Sequence, residues 1–275
     1  MSTKKLLILP AVLMTLLSFL TLENEFRDPF GFAHQNVPHA KGQSLLLEQL
    51  IYDQVNAVRL KHGLNPVSEE INLRQIARDH SLDMLERGFF LHKNPEGKGP
   101  ADRVAEKHRR LVGTTAENLW WGIRGERITP GMLAVEIMES LMNSTGHRAN
   151  ILRNEATHLG VGVSMSSGPK VLSVEITATQ LFALVKAYSK EPIPRHIKWG
   201  SLTNFLLISD VDENTVEVEY VELWSSRSAS SVSGPLPLKL GRFLVPSGNY
   251  QLRFLFRNSG SATFTMYPGP LVSID

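Results

Sequence analysis

From Ser44 onward the apolar residues Leu47, Ile51, Val55 and Val58 recur at helical spacing. They form one stripe, which predicts a helix that Gly63 stops and Pro66 keeps from continuing. A second helix is expected from Asn72, a capping residue with Gln75 at the reciprocal position of a capping box. Leu73, Ile76, Ala77, His80 and Met84 share its apolar face, and Gly88 ends it. His80 is the lone histidine on that stripe, so a buried imidazole with a satisfied hydrogen bond is expected there. Thr129-Pro130 sets a cap residue before a first-turn proline and predicts a third helix. Its apolar face is Ala134, Val135, Met138, Leu141 and Met142, and it ends between Ser144 and Gly146. His147 then falls at a break. Gly160 to Met165 and Val171 to Leu184 predict strands about a Ser166-Ser167-Gly168-Pro169 turn.

The pattern changes beyond Lys190. Lys190 to Gly200, with Pro192 and Pro194, has the composition of a linker. Short strands are expected at Phe205 to Ile208, Val216 to Trp224, Leu236 to Leu244, Tyr250 to Phe256 and Ala262 to Met266. Val216, Val218 and Tyr220 alternate with Glu217 and Glu219, and Tyr250, Leu252, Phe254 and Phe256 with Gln251, Arg253 and Leu255. A period of two marks sheets with one buried face. Helices first and strands later give an α+β class with a small all-β sandwich at the end. The expected organisation is a targeting segment at 1–22, a linker at 23–43, a main domain at 44–185, a second linker at 186–200 and the β-sandwich at 201–275.

Charge and composition narrow the partners. The net charge of +2 comes from 29 basic and 27 acidic residues, which does not point to nucleic acid. Lys107-His108-Arg109-Arg110 is expected to be a solvated face. Cysteine is absent, which excludes disulfides, thiolate metal sites and a cysteine nucleophile. Lys4-Lys5 ahead of the apolar run Leu6 to Leu22 predicts export, by a cleaved signal or an anchor at residues 6–22. The protein would then be secreted, periplasmic or held at a membrane through that segment.

Three segments carry candidate chemistry: Gly88 to His92, Ala116-Glu117-Asn118-Leu119 and Ser144 to Leu152. His92, Glu117 and His147 offer imidazole nitrogens and a carboxylate. Converging, they could hold a divalent cation with one position open, or share protons with water and bind nothing. Asp102-Arg103 is expected to anchor the loop after His92. Asn118 and Asn150 are expected to fix loops, and Trp120-Trp121 to place one ring in the core and one at a cleft rim.

The order of motifs resembles the CAP superfamily (cysteine-rich secretory proteins, antigen 5, pathogenesis-related proteins), in its bacterial SCP-like branch. The match runs from about Leu46 to Phe182. It takes in Asn56-Ala57-Val58-Arg59, Gly63-Leu64-Asn65-Pro66, Ala77 to Met84, Gly88 to His92, Pro100-Ala101-Asp102-Arg103 and Glu117-Asn118. Ser144 to Leu152, Gly160 to Val163 and Thr179 to Phe182 complete it. The resemblance implies an α-β-α sandwich and a ligand cleft at His92, Glu117, Ser144 and His147. Ser144 stands where many relatives have a second glutamate, which removes an oxygen ligand and a negative charge. Three outcomes stay open for the function. One is non-enzymatic, extracytoplasmic binding of a small ligand, or of Zn, Mg or Ca at His92, Glu117 and His147. Another is metal-assisted hydrolysis at the cell envelope with Glu117 as base. The last is a structural envelope protein that docks through its β domain.

Overall fold

The computed structural model describes residues 40–167, 172–198, 208–209, 218, 220–225, 231–235, 246–257 and 262–275. The targeting segment, residues 23–39 and the strand expected at Leu236 to Leu244 lie outside them.

The chain runs α1 (Ala40–Lys61), β1 (Ser68–Glu69), α2 (Ile71–Arg87), α3 (Pro100–Lys107), β2 (Leu111–Gly125), α4 (Pro130–Asn143) and α5 (Thr145–Ile151). It continues through β3 (His158–Ser167), β4 (Ser173–Ser189), β5 (His196–Ile197), β6 (Ile208–Ser209), β7 (Tyr220–Trp224), β8 (Ser231–Pro235), β9 (Gly248–Arg257) and β10 (Phe264–Ile274). The first sheet has the order β1-β3-β4-β2, with β6 beside the end of β4. On one face α1, α4 and α5 bury Leu47, Ile51, Leu133, Ile137 and Ile151 against Leu159, Val161, Ile176 and Phe182. On the other, Leu73, Ile76 and Ala77 of α2 and Val104 of α3 pack on Leu181, Ala183 and Val185. This is a mixed α+β fold with the sheet between two helical layers.

Two glycines set how closely α2 lies. A Cβ on Gly160 would sit 2.2 Å from the Arg74 amide nitrogen, and one on Gly162 2.1 Å from that of Arg78. The helix backbone therefore rests directly on β3. Ser81 Oγ donates to the Gly162 carbonyl at 2.9 Å, and Thr177 Oγ1 donates to the Ser81 carbonyl at 2.7 Å.

Several local expectations change. The cap of α2 is Glu70, not Asn72: the Leu73 amide donates to Glu70 Oε2 at 2.6 Å, and Asn72 Nδ2 donates to the other oxygen. Parallel pairing of β1 with β3 keeps the chain extended through Glu69, and the Glu70 amide donates to the Leu159 carbonyl. The helix can start only after that point. Gly88 closes α2 as expected, at φ 64°. Val135 is exposed, and Ile137 takes its expected place in the core. His147 lies inside the short helix α5 rather than at a break. Neither α3 nor β2 shows in the pattern, because β2 is covered on both faces for much of its length and so does not alternate.

The basic cluster at the end of α3 is a solvated face only in part: Lys107 and Arg110 are exposed, but His108 and Arg109 turn inward. His108 is buried, and its Nδ1 accepts from the Leu111 amide at 3.1 Å. Arg110 donates to the Ser189 carbonyl. Arg109 donates to the carbonyls of Ala105, Ile193, Pro194 and Leu271 at 2.7–3.1 Å. It finds no carboxylate among these partners, and burial together with Arg195 lowers its pKa to about 10.

The second sheet has the order β5-β10-β9-β7-β8. Tyr250, Leu252, Phe254 and Phe256 alternate inward from β9, joined by Val221, Leu223, Val272 and Ile274. The same cluster contains Val112 and Ala187 from the first sheet and Ile193 from the segment between the sheets. Strand β4 runs to Ser189, and β5 pairs in parallel with β10. Residues 186–200, expected as a linker, therefore contribute the end of β4 to the first sheet and β5 to the second.

Candidate functional site

His92 follows the left-handed stop at Gly88, and its loop is pinned at three carbonyls. His80 Nε2 donates to the Leu91 carbonyl at 3.1 Å. Arg103 Nη1 donates to the carbonyls of His92 at 2.8 Å and Lys98 at 3.0 Å. Arg103 is delivered by α3, which starts where the Gly99 amide donates to Asp102 Oδ2 at 2.9 Å. Asp102 and Arg103 therefore anchor the loop after His92, as the sequence suggests. His80 is buried and bonded through Nε2 as expected, but among the described residues its Nδ1 meets no partner.

Glu117 projects from the middle of β2 with a side chain only 1% exposed. Its Oε1 lies 2.9 Å from His92 Nδ1, and Arg103 Nη2 donates to its Oε2. An ionised carboxylate only accepts, so His92 carries a proton on Nδ1 and turns its Nε2 outward. The His92 ring is 54% exposed. Glu117 accepts from these two side chains, not from the backbone amides of the loop.

Backbone and amide bonds bring His147 in. Asn118 Nδ2 donates to the His147 carbonyl at 3.1 Å and to Gln180 Oε1 at 3.0 Å. Asn150 Nδ2 donates to Asn118 Oδ1 at 2.9 Å and to the Glu117 carbonyl at 3.2 Å. These amides fix elements rather than loops: they tie α5 to β2. At the far end of α5, Arg59 is fully buried and donates to the carbonyls of Asn65, Ile151, Arg153 and Ala156. Carbonyls at a helix C-terminus carry partial negative charge, which suits a buried cation there. Burial lowers the pKa of His147, and the neighbouring His92 lowers it further, which favours the neutral form of the His147 ring. Ser144 is the joint between α4 and α5, in extended geometry at φ −91° and ψ 123°, and its hydroxyl makes no cap bond.

The structure thus joins His92 directly to Glu117 and couples His147 to His92 electrostatically. Arg103 is the member that residue spacing did not reveal as a partner of Glu117. It lies 14 residues away on a helix absent from the hydrophobic pattern. Gln180, Arg59 and the role of His80 are likewise invisible in spacing. Trp120 is in the core, whereas Trp121 is partly exposed and donates to Glu175 at 2.8 Å.

The donor set bears on metal binding. Among the described residues, no three His, Asp or Glu side chains form a metal-ligand group. The chemistry around Glu117 agrees, since both carboxylate oxygens are engaged and its charge is already answered by a buried guanidinium. A divalent ion would have to displace Arg103 or share the carboxylate with a second cation. The residues as arranged do not fit a resident metal.

Residues 52–182 match the profile of the cysteine-rich secretory protein family, CAP. The YkwD protein of Bacillus subtilis strain 168 is 35% identical over 116 residues, 42% of this chain and 41% of that protein. The membrane protein YlbC of the same strain is 34% identical over 116 residues, 42% of this chain and 31% of that one. The chain therefore spans less than half the length of either relative. Among solved structures, an extracellular SCP-domain protein of Bacillus anthracis strain Ames is 26% identical, with 55% of this chain and 45% of that one covered at a TM-score of 0.41. An outer surface protein of Borrelia burgdorferi is 16% identical, with 56% and 100% covered and a TM-score of 0.42. The CAP domain of enterococcal PrgA is 19% identical, with 56% and 64% covered and a TM-score of 0.35.

Proposed function

Through residues 52–182 the chain belongs to the cysteine-rich secretory protein (CAP) family, and from that premise we propose that it is an exported, non-enzymatic binding protein. Its cleft lies at His92, Glu117 and His147, with Ser144 at the edge. The ligand is small and donates hydrogen bonds. One observation carries this reading: Glu117 is held between Arg103 and His92. That bond sets a proton on His92 Nδ1, so in the neutral ring the outward nitrogen is an acceptor. The neutral ring of His147 offers a second such nitrogen. The same bond argues against hydrolysis, because a carboxylate held on both oxygens is not free to take a proton from water.

Export is supported by Lys4-Lys5 and the apolar run that follows. Among the described residues no helix is long and apolar enough to cross a membrane. In this reading residues 201–275 form the small all-β sandwich that contacts an envelope component. What supports it is a second sheet with its own strand order, although its inner face is shared with Val112 and Ala187 of the first sheet.

The test uses three hydroxyl- or amide-bearing probes: an N-acetylglucosamine disaccharide, an alanine tripeptide and cholesterol. NMR of the imidazole protons should show at least one probe shifting His92 and His147 together, with the shift lost in His92→Ala. No response to any of the three would remove the reading. Calorimetry with Zn, Mg and Ca should give no heat. Tight binding of one ion that is lost in His92→Ala would replace this reading with a metal site.

A further inference from the structure

A second site lies at the seam between the two sheets, away from the His92 cleft. Strand β2 is the last strand of the first sheet, and among the described residues its outer edge pairs with no strand. Strand β10 approaches that edge but does not pair with it. Its register with β9 breaks between Pro268 and Leu271, where Pro268-Gly269-Pro270 supplies one amide hydrogen in three residues. The gap is roofed by Val104 and Ala105 of α3 and floored by Leu111 and Gly113 of β2. It is a half-enclosed cavity of about 160 Å³, walled mainly by carbon. Thr114, Thr115 and Gln251 also line it. Thr114 and Thr115 are consecutive in β2, so only the Thr115 hydroxyl and the Gln251 carboxamide count as polar side chains on this face. Neither of these two side chains finds a hydrogen-bond partner among the described residues.

We propose that this seam cavity binds a small, uncharged, ring-sized molecule carrying one hydrogen-bonding substituent, of the phenol class. Size, lining and polarity each support that class. A cavity of about 150 Å³ lined by aliphatic side chains accepts benzene, and this one is of that order. An apolar wall with a few unengaged polar groups is the usual make-up of a small-molecule site, and the boundary between two packed units is a usual place for one. No charged side chain lines the cavity, so an ionised ligand would lose its hydration without replacement. Arg109 holds the seam closed on either side, binding Ala105 of the roof and Leu271 just past the bulge. The cavity is therefore preformed, and binding does not require the sheets to rearrange. This proposal is independent of the reading of the His92 cleft.

The experiment uses the full-length protein with phenol and benzene at millimolar concentration, followed by saturation-transfer NMR and thermal shift. Both probes should bind saturably, with phenol tighter. Gln251→Leu combined with Thr115→Val should weaken phenol about tenfold, the ordinary worth of a neutral hydrogen bond, and leave benzene unchanged. Ala105→Phe should fill the cavity and abolish both, and His92→Ala should affect neither. Absence of saturable binding to the parent protein overturns the proposal. So does unchanged binding in a folded Ala105→Phe variant, or loss of binding in His92→Ala. If Ala105→Phe does not fold, the polar variant decides: equal effects on phenol and benzene overturn the proposal, and a selective loss of phenol supports it.

Discussion

Arg103 donates to Glu117 in the interior, with side chains 7% and 1% exposed. This pair is the pivot of the candidate site. The carboxylate orients His92, and the rest of the same guanidinium holds the His92 and Lys98 carbonyls. Charge balance, ring orientation and loop position therefore rest on one side chain.

Replacing Arg103 with Met should strand a buried carboxylate. The expected loss is about 3–5 kcal/mol of unfolding free energy, typical when one partner of a buried pair is removed, measured by urea denaturation. Arg103→Met with Glu117→Leu should recover much of it. A single variant within about 0.5 kcal/mol of the parent would show that the pair does not matter to the fold.

Gly162→Ala should destabilise more than an ordinary strand substitution. The added methyl would lie 2.1 Å from the Arg78 amide nitrogen, so α2 must lift off β3. A cost of about 1–3 kcal/mol or more is expected from overpacking. Ala in place of Gly125, where a Cβ meets nothing within 4 Å, is the control. Equal effects at the two positions would count against direct helix-on-strand contact.

His80 predicts a pH dependence. Burial lowers its pKa to about 4 from 6.5, with Glu117 opposing and Arg103 reinforcing the shift. As pH falls below 6.5 the unfolded chain takes up this proton before the folded one does. The stability contribution is therefore complete above pH 6.5 and is lost between about pH 6.5 and 4. Lowered pKa values at His147 and His158 act in the same direction. His80→Gln can keep the bond to the Leu91 carbonyl without the titration. It should reduce the slope of stability against pH by up to one proton, about 1.4 kcal/mol per pH unit. An unchanged slope would refute the assignment.

The seam gives a proteolysis prediction. Ile193 is fully buried, and its amide donates to the Arg109 carbonyl at 2.8 Å. Cleavage within residues 190–198 should be slow in the parent. It should speed up at least tenfold in Arg109→Met, which frees four carbonyls at once. Mass mapping of early fragments checks this, and rapid cutting of the parent at that stretch would show the seam to be open.

Much of the frame follows from local sequence alone. Leu47, Ile51 and Val55 make a helical stripe wherever α1 packs. Gly88 ends α2 because it alone adopts the left-handed turn at no steric cost. Tyr250 to Phe256 alternate because one face of β9 is buried. The ordered motifs bring His92, Glu117 and His147 forward as candidates. Their partners came only from the tertiary structure. Strand β2 is covered on both faces, so neither its existence nor the direction of Glu117 shows in a period of two. Arg103 sits on an eight-residue helix too short to display a stripe, and its choice between solvent and Glu117 depends on what burial leaves unpaired. Arg59 and Arg109 look like ordinary surface cations in sequence, yet carbonyls as far away as 97 and 162 residues bind them, with Arg59 fully buried and Arg109 half-buried. Periodicity records which residues avoid water. Which buried charge meets which acceptor is decided by distance in space, and for that the chain had to be folded.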